Sequence, residues 1–369
     1  MTNSDYQLIE TTSALETLCK KLKKQKVLAV DTEFVRERTF YPKAGLLQVA
    51  DNEHVYLIDP LTCDLTAFLQ IIEHPGIKKV MHSVSEDLDV FYTIGAYEPK
   101  NIFDTQIAAA WLGSGLSYSL QKLVYKHTGI QLDKSETRTN WLARPLSPEQ
   151  LVYAAEDVLH LIQIANEQQE LLDSLGVSAF VSEDNQLAIA IDTDDHSLSY
   201  LHYSRAYRLD QDALNRFQRL IAWRERVARR DDKPRPHIIR DPELVEMAQL
   251  CSDSDKLNEL KMHPAFRRKY LTELDALLFE QSYSNARPIV RLQDIKGSKE
   301  LLKSIREELP KLAEKKGYPV EVMPSKRIIE QIIKYVAVPW YPKPKVWTGW
   351  RKELMAPLLA DKLEPIQLA

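Results

Sequence analysis

Four carboxylates and one phenol occur at spacings that could gather them around a single reacting bond. Asp31 and Glu33 are two positions apart on a predicted strand, and Tyr153 and Asp157 are four apart on a predicted helix, so each pair shares one face of its element. Asp87 lies near the predicted start of another helix. Clustered carboxylates repel one another unless cations lie among them, and such oxygen ligands suit Mg²⁺ or Mn²⁺. Two of these ions about 3.5–4 Å apart are the arrangement used for in-line phosphodiester cleavage.

The first of the elements that must carry these residues is a short apolar strand, Lys26-Val-Leu-Ala-Val-Asp-Thr-Glu-Phe34, with its acids at the carboxyl end. Two further strand-like runs follow, Gly45-Leu-Leu-Gln-Val-Ala50 and His54-Val-Tyr-Leu-Ile-Asp59. Their tight connections predict an antiparallel meander. Taken alone, a D-x-E pattern at the end of a strand is commonly a pair of solvated acids. The catalytic interpretation therefore depends on the predicted strands around it.

The position of Asp87 follows from the strand and helix signals around it. After the strand Ile77-Lys-Lys-Val-Met-His82, the run Ser83-Val-Ser-Glu86 has the pattern of a capping box. Asp87 then falls in or just after the first turn of a helix from residue 86 to 94, at the carboxyl end of a strand, where open α/β sheets bind ligands. The alternative is that Asp87 only complements the helix dipole.

The clearest helix start in the chain precedes the last motif. Ser147-Pro148-Glu149-Gln150 combines an N-cap Ser, a Pro at the first helical position and a Gln at the third. We predict a helix that runs from there toward a stop at Gly176. Tyr153 and Asp157 are neighbours on it, although an i,i+4 pair of this kind is by itself usually a surface contact.

These residues together carry a resemblance. Asp31-x-Glu33, His82-Ser-Val-Ser-Glu-Asp87 and Tyr153-x-x-x-Asp157 resemble the three motifs of the tyrosine branch of the DEDD exonuclease superfamily. The text between them resembles the ribonuclease D family in these stretches: Val30-Asp-Thr-Glu-Phe-Val-Arg-Glu-Arg-Thr-Phe-Tyr-Pro42, Phe103-Asp-Thr-Gln106, Leu132-Asp-Lys-Ser-Glu-Thr137 and Trp141-Leu-Ala-Arg-Pro-Leu146. The match spans the N-terminal half, and no motif position departs from it.

The resemblance implies a fold and a set of roles. The fold class is α/β, with a ribonuclease H-like exonuclease domain (a mixed sheet flanked by helices) followed by all-α helical bundle domains. Asp31, Glu33, Asp87 and Asp157 would hold two divalent metal ions, Mg²⁺ or Mn²⁺. Tyr153 would position or help deprotonate the attacking water, and the product would be a 5′-nucleoside monophosphate.

Two nearby residues invite other interpretations. His82 could be taken for the general base of the histidine branch of the superfamily, but that branch has its His in the third motif, where this chain has Tyr153. We therefore expect a structural or supporting role for His82. Asp104 could be a fifth ligand, but it more simply caps the helix that follows it.

Candidate substrate contacts are less specific. Phe34 could stack on a base, or it could be a core residue, and Gln48 could reach the terminal nucleotide. Basic side chains are candidates for phosphate contacts, with ordinary solvated charge as the alternative. They are Lys134, Arg138 and Arg144 in one predicted loop, and Arg226, Arg229 and Arg230 in the C-terminal half.

Charge is unevenly distributed along the 369 residues, whose net charge is −4. Residues 1–185 carry 16 Lys+Arg and 26 Asp+Glu, a balance of −10, and residues 186–369 carry 33 and 27, a balance of +6. An acidic catalytic domain joined to a basic region fits an enzyme whose accessory modules gather a polyanion. A merely solvated helical tail is the alternative.

The length exceeds what one hydrophobic core normally serves, so several domains are expected. We predict an exonuclease domain at 1–185, a polar acidic linker at 186–208 and a helicase-and-ribonuclease-D C-terminal (HRDC) domain at 209–285. The HRDC interpretation rests on Leu220-Ile-Ala-Trp-Arg-Glu-Arg-Val-Ala228 and Pro236-His-Ile-Ile-Arg-Asp241, which resemble that nucleic-acid-binding bundle. A second, diverged copy is predicted at 289–369.

We therefore expect a metal-dependent 3′→5′ exoribonuclease that acts on RNA, with tRNA precursors as what the family implies. Two rivals remain: a 3′→5′ DNA exonuclease with the same metal site, and a nucleic-acid-binding protein that has lost activity. No apolar run is long enough to cross a bilayer, and three scattered cysteines suggest a reducing compartment. We expect a cytoplasmic monomer without a membrane partner.

Overall fold

The computed structural model describes residues 6–132, 139–190, 196–280 and 285–360. These residues divide into two compact units. Unit 1 comprises residues 6–37, 41–132, 139–190 and 308–323. Unit 2 comprises residues 38–40, 196–280, 285–307 and 324–360.

Unit 1 contains a six-stranded mixed sheet of order β1-β4-β3-β2-β5-β6. Its strands are β1 (Tyr6–Ile9), β2 (Val27–Val35), β3 (Lys43–Ala50), β4 (Val55–Ile58), β5 (Lys78–Met81) and β6 (Ile102–Asp104). Both β2–β3 and β3–β4 pair antiparallel, which confirms the predicted meander. The remaining neighbours pair parallel. Strand β1 was not predicted, because four residues without clear alternation give little periodic signal.

Helices surround this sheet in unit 1. They are α1 (Thr12–Leu22), α2 (Thr66–Ile72), α3 (Ser85–Thr93), α4 (Thr105–Trp111), α5 (Leu120–Thr128), α6 (Pro148–Leu159), α7 (Leu161–Ser174) and α8 (Ser178–Ile189). The long helix predicted toward Gly176 is in fact two helices, because His160 interrupts it between α6 and α7. Gly176 lies just beyond the end of α7 with a φ of 68°, a conformation that glycine adopts without strain.

The sheet and helices of unit 1 enclose one main core of aliphatic and aromatic side chains. Alternate residues of β2, β3 and β4 enter it, among them Val30, Leu47 and Ile58, all fully buried. The edge of the sheet that carries the polar motifs therefore stands on a closely packed base.

Unit 2 is helical. Its helices begin with α9 (Gln211–Arg230), α10 (Arg235–Ile238), α11 (Asp241–Leu250), α12 (Ser254–Glu259) and α13 (Pro264–Asp275). In α14 (Ser298–Lys316), residues 298–307 belong to unit 2 and residues 308–316 to unit 1; α15 (Lys326–Ala337) and α16 (Gly349–Leu359) are in unit 2. Asp210 caps α9, accepting from Ala213 N. Apolar residues of α9 and α11 are buried and form the core of these helices, among them Phe217, Trp223 and Leu244.

None of the described helices is both long enough and apolar enough to cross a lipid bilayer.

Candidate active site

Strand β2 presents the first two carboxylates at the edge of the core. Asp31 and Glu33 lie on the same face of the strand, and Asp31 is paired in register with Gln48 of β3. The register shifts directly after Glu33, which pairs with Leu46 while Phe34 pairs with Ala44. Gly45 is thus the extra residue of a β-bulge, and such bulges are frequent next to active sites.

Helix α6 supplies the third carboxylate. The predicted capping box is present, since Ser147 accepts from Gln150 N and the Gln150 side chain accepts from Ser147 N. One turn further on, Tyr153 and Asp157 are both buried. The Tyr153 hydroxyl is close enough to the Asp157 carboxylate to lower the pKa of Asp157. The pair therefore faces the sheet, although pairs at this spacing are more often exposed.

Asp31, Glu33 and Asp157 converge. Each offers a carboxylate oxygen, and the three oxygens lie within 4.8 Å of one another. Asp157 is buried, while Asp31 and Glu33 keep part of their surface exposed. The structure thus brings together residues 126 positions apart in sequence, as the motif spacing predicts.

Asp87 lies in the first turn of α3, as predicted, but the capping box does not form. Ser83 adopts a φ of 61°, and the N–H groups of Ser83 and Val84 donate to the carboxylate of Asp104 at 2.9 and 3.0 Å. Asp104 also caps α4 by accepting from Gln106 N at 2.7 Å. The carboxylate of Asp104 therefore fixes the turn that precedes α3.

The side chain of Asp87 is not part of the three-carboxylate group. Its Oδ1 accepts a hydrogen bond from the Thr32 hydroxyl, which holds it beside the β2 carboxylates. Asp87 remains close enough for its charge to raise the pKa values of Glu33 and Asp157. A ligand of a second ion need not belong to the group that holds the first, so the predicted role of Asp87 stays a proposal.

Burial and mutual repulsion raise the pKa values of the four carboxylates. Burial, and then the charge of Asp157, raises the pKa of Asp31 well above its usual value. Burial, followed by the charges of Asp31, Asp157 and Asp87, raises the pKa of Glu33 to about 10. The pKa of Asp157 rises to about 7 through burial and then the charge of Glu156, while the nearby Tyr153 hydroxyl opposes the rise. Burial and the charge of Asp31 likewise raise the pKa of Asp87.

This donor set fits divalent cations. Within residues 6–132 and 139–190, no lysine or arginine forms an ion pair with any of the four carboxylates. Ionising all four at neutral pH therefore needs positive charge from elsewhere, and hard oxygen donors select ions such as Mg²⁺ and Mn²⁺. The raised pKa values are the signature expected of a functional site.

The predicted contacts on β2 and β3 differ in their surroundings. Phe34 is half-buried, with part of its ring packed against the core and part exposed, so the structure is compatible with both interpretations. Gln48 is fully buried opposite Asp31, and neither its Oε1 nor its Nε2 has a hydrogen-bond partner among the described residues. Buried amides without partners are rare, which makes Gln48 notable.

Arg144 was predicted to contact phosphate, and the structure contradicts this. Its five N–H donors all reach protein acceptors: the two oxygens of Asp59 and the carbonyls of Gly45, Trp141 and Ala143. The side chain is therefore occupied within unit 1. The other two predicted contacts of this loop, Lys134 and Arg138, lie outside the described residues.

The arginines of α9 divide into two kinds. Arg229 forms an ion pair with Glu225 at 2.8 Å, and Arg230 pairs with Asp231 and Glu273 at 3.1 Å each. Arg226 is exposed and forms no ion pair within the part of the chain that the structure describes. Of the three predicted phosphate contacts in unit 2, Arg226 is the one whose charge is not already paired.

His82 behaves as expected of a supporting residue. Its Nδ1 lies 2.9 Å from the hydroxyl of Thr105, and burial lowers its pKa. Asp104, considered as a fifth ligand, acts instead as the cap described above.

Three residues important to this geometry were missed by sequence reasoning. Thr32 was regarded only as the spacer in D-x-E, and Trp141 only as part of a resemblance. Gly45 was taken as the first residue of a strand. A glycine inside an apolar strand run is a recognised signal for a bulge, so Gly45 could have been found. The contacts of Thr32 and Trp141 are long-range and carry no such signal.

Comparisons with known proteins agree with this architecture. The family model described as 3′-5′ exonuclease matches residues 6–173, the HRDC domain model matches 213–278, and the model described as ribonuclease D, C-terminal HRDC domain, matches 297–359.

Full-length relatives are similar over almost the whole chain. Ribonuclease D of Pseudomonas paraeruginosa is 37% identical, with 99% of this chain and 99% of the relative covered. Ribonuclease D of Escherichia coli is 33% identical over 98% of this chain and 99% of the relative. The crystal structure of Escherichia coli RNase D, described as an exoribonuclease involved in structured RNA processing, matches with a TM-score of 0.87 at 32% identity, covering 96% of this chain and 98% of that chain.

Proposed function

The chain belongs to the ribonuclease D family and is a 3′→5′ exoribonuclease, and from this premise we propose that it trims the 3′ ends of structured RNAs, tRNA precursors among them, by metal-dependent hydrolysis. The observation that supports this most directly is the group formed by Asp31, Glu33 and Asp157, whose carboxylate oxygens lie within 4.8 Å of one another. The Escherichia coli relative's description as acting in structured RNA processing supports the substrate class.

The proposed cofactor is a pair of divalent ions, Mg²⁺ or Mn²⁺. Asp31, Glu33 and Asp157 would be ligands of one ion, and Asp87 would be a ligand of the other. When bound, such ions lower the pKa of water and stabilise the charge that develops on the leaving oxygen.

The protein's own groups orient the reaction. The Tyr153 hydroxyl, one turn before Asp157 on α6, would orient the attacking water toward the phosphorus of the 3′-terminal phosphodiester. The bond to the 3′ oxygen of the penultimate nucleotide breaks, that oxygen is protonated, and a 5′-nucleoside monophosphate leaves.

Substrate contacts and organisation complete the proposal. Phe34 would stack on a base, and the orphaned amide of Gln48 would hydrogen-bond to the terminal nucleotide. Lys134, Arg138 and Arg226 would contact phosphates. We retain the domain boundaries 1–185, 209–285 and 289–369, with a linker between the first two, as the proposed division of a monomeric enzyme.

The proposed location is the cytoplasm. Cys19, Cys63 and Cys251 are unpaired and buried, which is compatible with a reducing compartment.

The experiment that tests the proposal compares two matched 5′-labelled single strands, one RNA and one DNA, each with Mg²⁺, with Mn²⁺ and with excess EDTA. We expect stepwise shortening of the RNA that EDTA abolishes, and Asp31→Asn serves as the inactive control. Preferential shortening of the DNA would favour a DNA exonuclease instead. RNA shortening that persists in EDTA would contradict the metal assignment. The substrate class is tested in a second assay, with a tRNA precursor that carries a 3′ extension.

A further inference from the structure

Every N–H group of the Arg144 guanidinium donates a hydrogen bond to an acceptor in the protein. Its Nε and one terminal nitrogen donate to the two oxygens of Asp59 at 2.6 and 2.7 Å. The same terminal nitrogen donates to Gly45 O at 2.8 Å, and the other donates to the carbonyls of Trp141 and Ala143 at 3.0 and 2.7 Å. This side chain thus connects residues 139–147, which precede α6 and are called the loop below, to β3 and to the end of β4. Lysine, with three donors on one nitrogen, cannot reproduce this planar fork.

Asp59 is built to receive this arginine. It is buried, and its Oδ1 also accepts from Leu61 N at 2.8 Å. Burial opposes ionisation, but the hydrogen bonds from Arg144 and Leu61 hold the pKa of Asp59 below its usual value. Since a largely desolvated charge pair often adds little net stability, we attribute to this pair mainly the fixing of local geometry.

Gly45 lets the same loop approach the bulge. A Cβ at this position would lie 2.6 Å from Trp141 Cβ, 2.7 Å from Trp141 O and 2.9 Å from Trp141 C. The backbone of Trp141 therefore rests directly on β3, at the residue inserted opposite the junction of Glu33 and Phe34.

The side chain of Trp141 packs against the ring of Tyr153 and so connects the loop to α6. The indole is buried, and its ring centroid lies 6.2 Å from that of Tyr153 with the planes inclined at 41°. Gln150, in the first turn of α6, also donates to the Thr139 hydroxyl at 3.0 Å, which joins the helix to the start of the loop. Tyr153 in turn lies one helical turn before Asp157 on α6, and both side chains are buried.

We propose that Arg144 is a positioning residue for Tyr153: together with Asp59 and Gly45 it clamps the loop so that Trp141 forms a fixed wall against the tyrosine ring. The inference rests on the proposed function, in which the Tyr153 hydroxyl orients water. A displacement of about 1 Å at a catalytic group can lower the rate about 100-fold. The contact of Trp141 with the Tyr153 ring is therefore expected to affect kcat.

The test is a double-mutant cycle in the full-length protein, with kcat and KM measured on a 5′-labelled single-stranded RNA with Mg²⁺. We expect Arg144→Lys to lower kcat by roughly tenfold or more while KM changes by less than about twofold. In the Tyr153→Phe background the same substitution is expected to have almost no further effect on kcat, because the hydroxyl that it displaces is already absent.

A second variant and a control guard against simple unfolding. Gly45→Ala pushes on the backbone of Trp141 without changing the side chains of Arg144 or Asp59, and we expect the same non-additivity with Tyr153→Phe. Arg267→Lys removes an arginine that also donates to backbone carbonyls, those of Asn258 and Leu260, and should leave kcat at saturating RNA unchanged. Thermal unfolding of each variant confirms that it is folded.

The outcomes separate the inference from the function. Fully additive losses of kcat would show that Arg144 acts only through general stability, and an unchanged kcat in both folded variants would also overturn the inference. A wild-type protein without metal-dependent RNA shortening would instead contradict the proposed function itself.

Discussion

The hydroxyl of Thr32 donates a hydrogen bond to Oδ1 of Asp87, joining β2 to the first turn of α3 across 55 positions of sequence. Thr32 is the central residue of the D-x-E motif, and it is buried. The residue between two acids of the site thus holds a third acid beside them. Because the hydrogen bond favours the ionised form of Asp87, it opposes the rise in pKa that burial and Asp31 cause.

Replacing that hydroxyl should affect both stability and rate. For Thr32→Val, which keeps the shape but loses the donor, we expect the free energy of unfolding at neutral pH to fall by about 1–3 kcal/mol, because Asp87 is left without this bond. We also expect kcat to fall, since the carboxylate is no longer oriented. Urea unfolding and RNA turnover measure the two effects. Thr32→Ser, which retains a hydroxyl, should recover most of both, and a fully active Thr32→Val would contradict the role.

The carboxylate group itself is tested by Asp31→Asn. This substitution removes a charge from the group with Glu33 and Asp157 while keeping the side-chain size. Several kcal/mol of transition-state stabilisation from the ions correspond to a loss in kcat of about 100-fold or more. RNA binding should be largely retained, as measured by fluorescence anisotropy. Asp89→Asn is the matched control on α3, because Asp89 is exposed and pairs with Arg36. Near-normal cleavage by Asp31→Asn would disprove the assignment.

The raised pKa values predict how stability depends on pH without metal. Asp157, with a pKa of about 7, and Glu33, with a pKa of about 10, bind protons in the folded state that the unfolded chain releases above about pH 4. Their contribution to stability is therefore complete in acid and is lost as pH rises through about 7 and then about 10. Since cations compete with these protons, we expect the gain in Tm from Mg²⁺ over EDTA to grow between pH 5 and pH 8. An equal gain at both pH values would contradict this.

The sequence predicted those parts of the site that are local. The capping box at Ser147 lies within four residues, and it alone places Tyr153 and Asp157 on one turn of a helix. The alternation of β2 likewise places Asp31 and Glu33 together. In both cases the chain's own periodicity fixes the geometry, so no knowledge of distant residues was needed.

Two of the failures involve partners far away in sequence. Arg144 looked like a phosphate contact because its charge is visible in the sequence, whereas its partner Asp59 lies 85 positions earlier. The capping box expected at Ser83 does not form, and the N–H groups of Ser83 and Val84 instead donate to Asp104, at the end of another strand. The local sequence identifies a hydrogen-bond donor or acceptor, but only the three-dimensional fold determines its partner.

The cap made by Asp104 should matter for activity as well as stability. Asp104→Ala leaves the N–H groups of Ser83, Val84 and Gln106 without their acceptor, and we expect the free energy of unfolding to fall by about 2 kcal/mol. Because this turn delivers Asp87, kcat should fall too. Asp64→Ala is the matched control: Asp64 accepts from Thr66 N and its hydroxyl at the start of α2, so stability alone should decrease. Wild-type kcat in folded Asp104→Ala would contradict the positioning role.

Arg226 should contribute to RNA affinity more than the arginines that follow it on α9. It is exposed and forms no ion pair within the described residues, whereas Arg230 is already shared between Asp231 and Glu273. If Arg226 contacts one phosphate of a single strand, Arg226→Ala should weaken binding and reduce the slope of log K against log salt by about 0.7, since fewer counterions are released. Arg230→Ala removes the same charge from the same helix and should leave the slope unchanged. Anisotropy titrations of single-stranded RNA at several KCl concentrations measure both slopes, and equal slopes for Arg226→Ala and the wild type would exclude this contact.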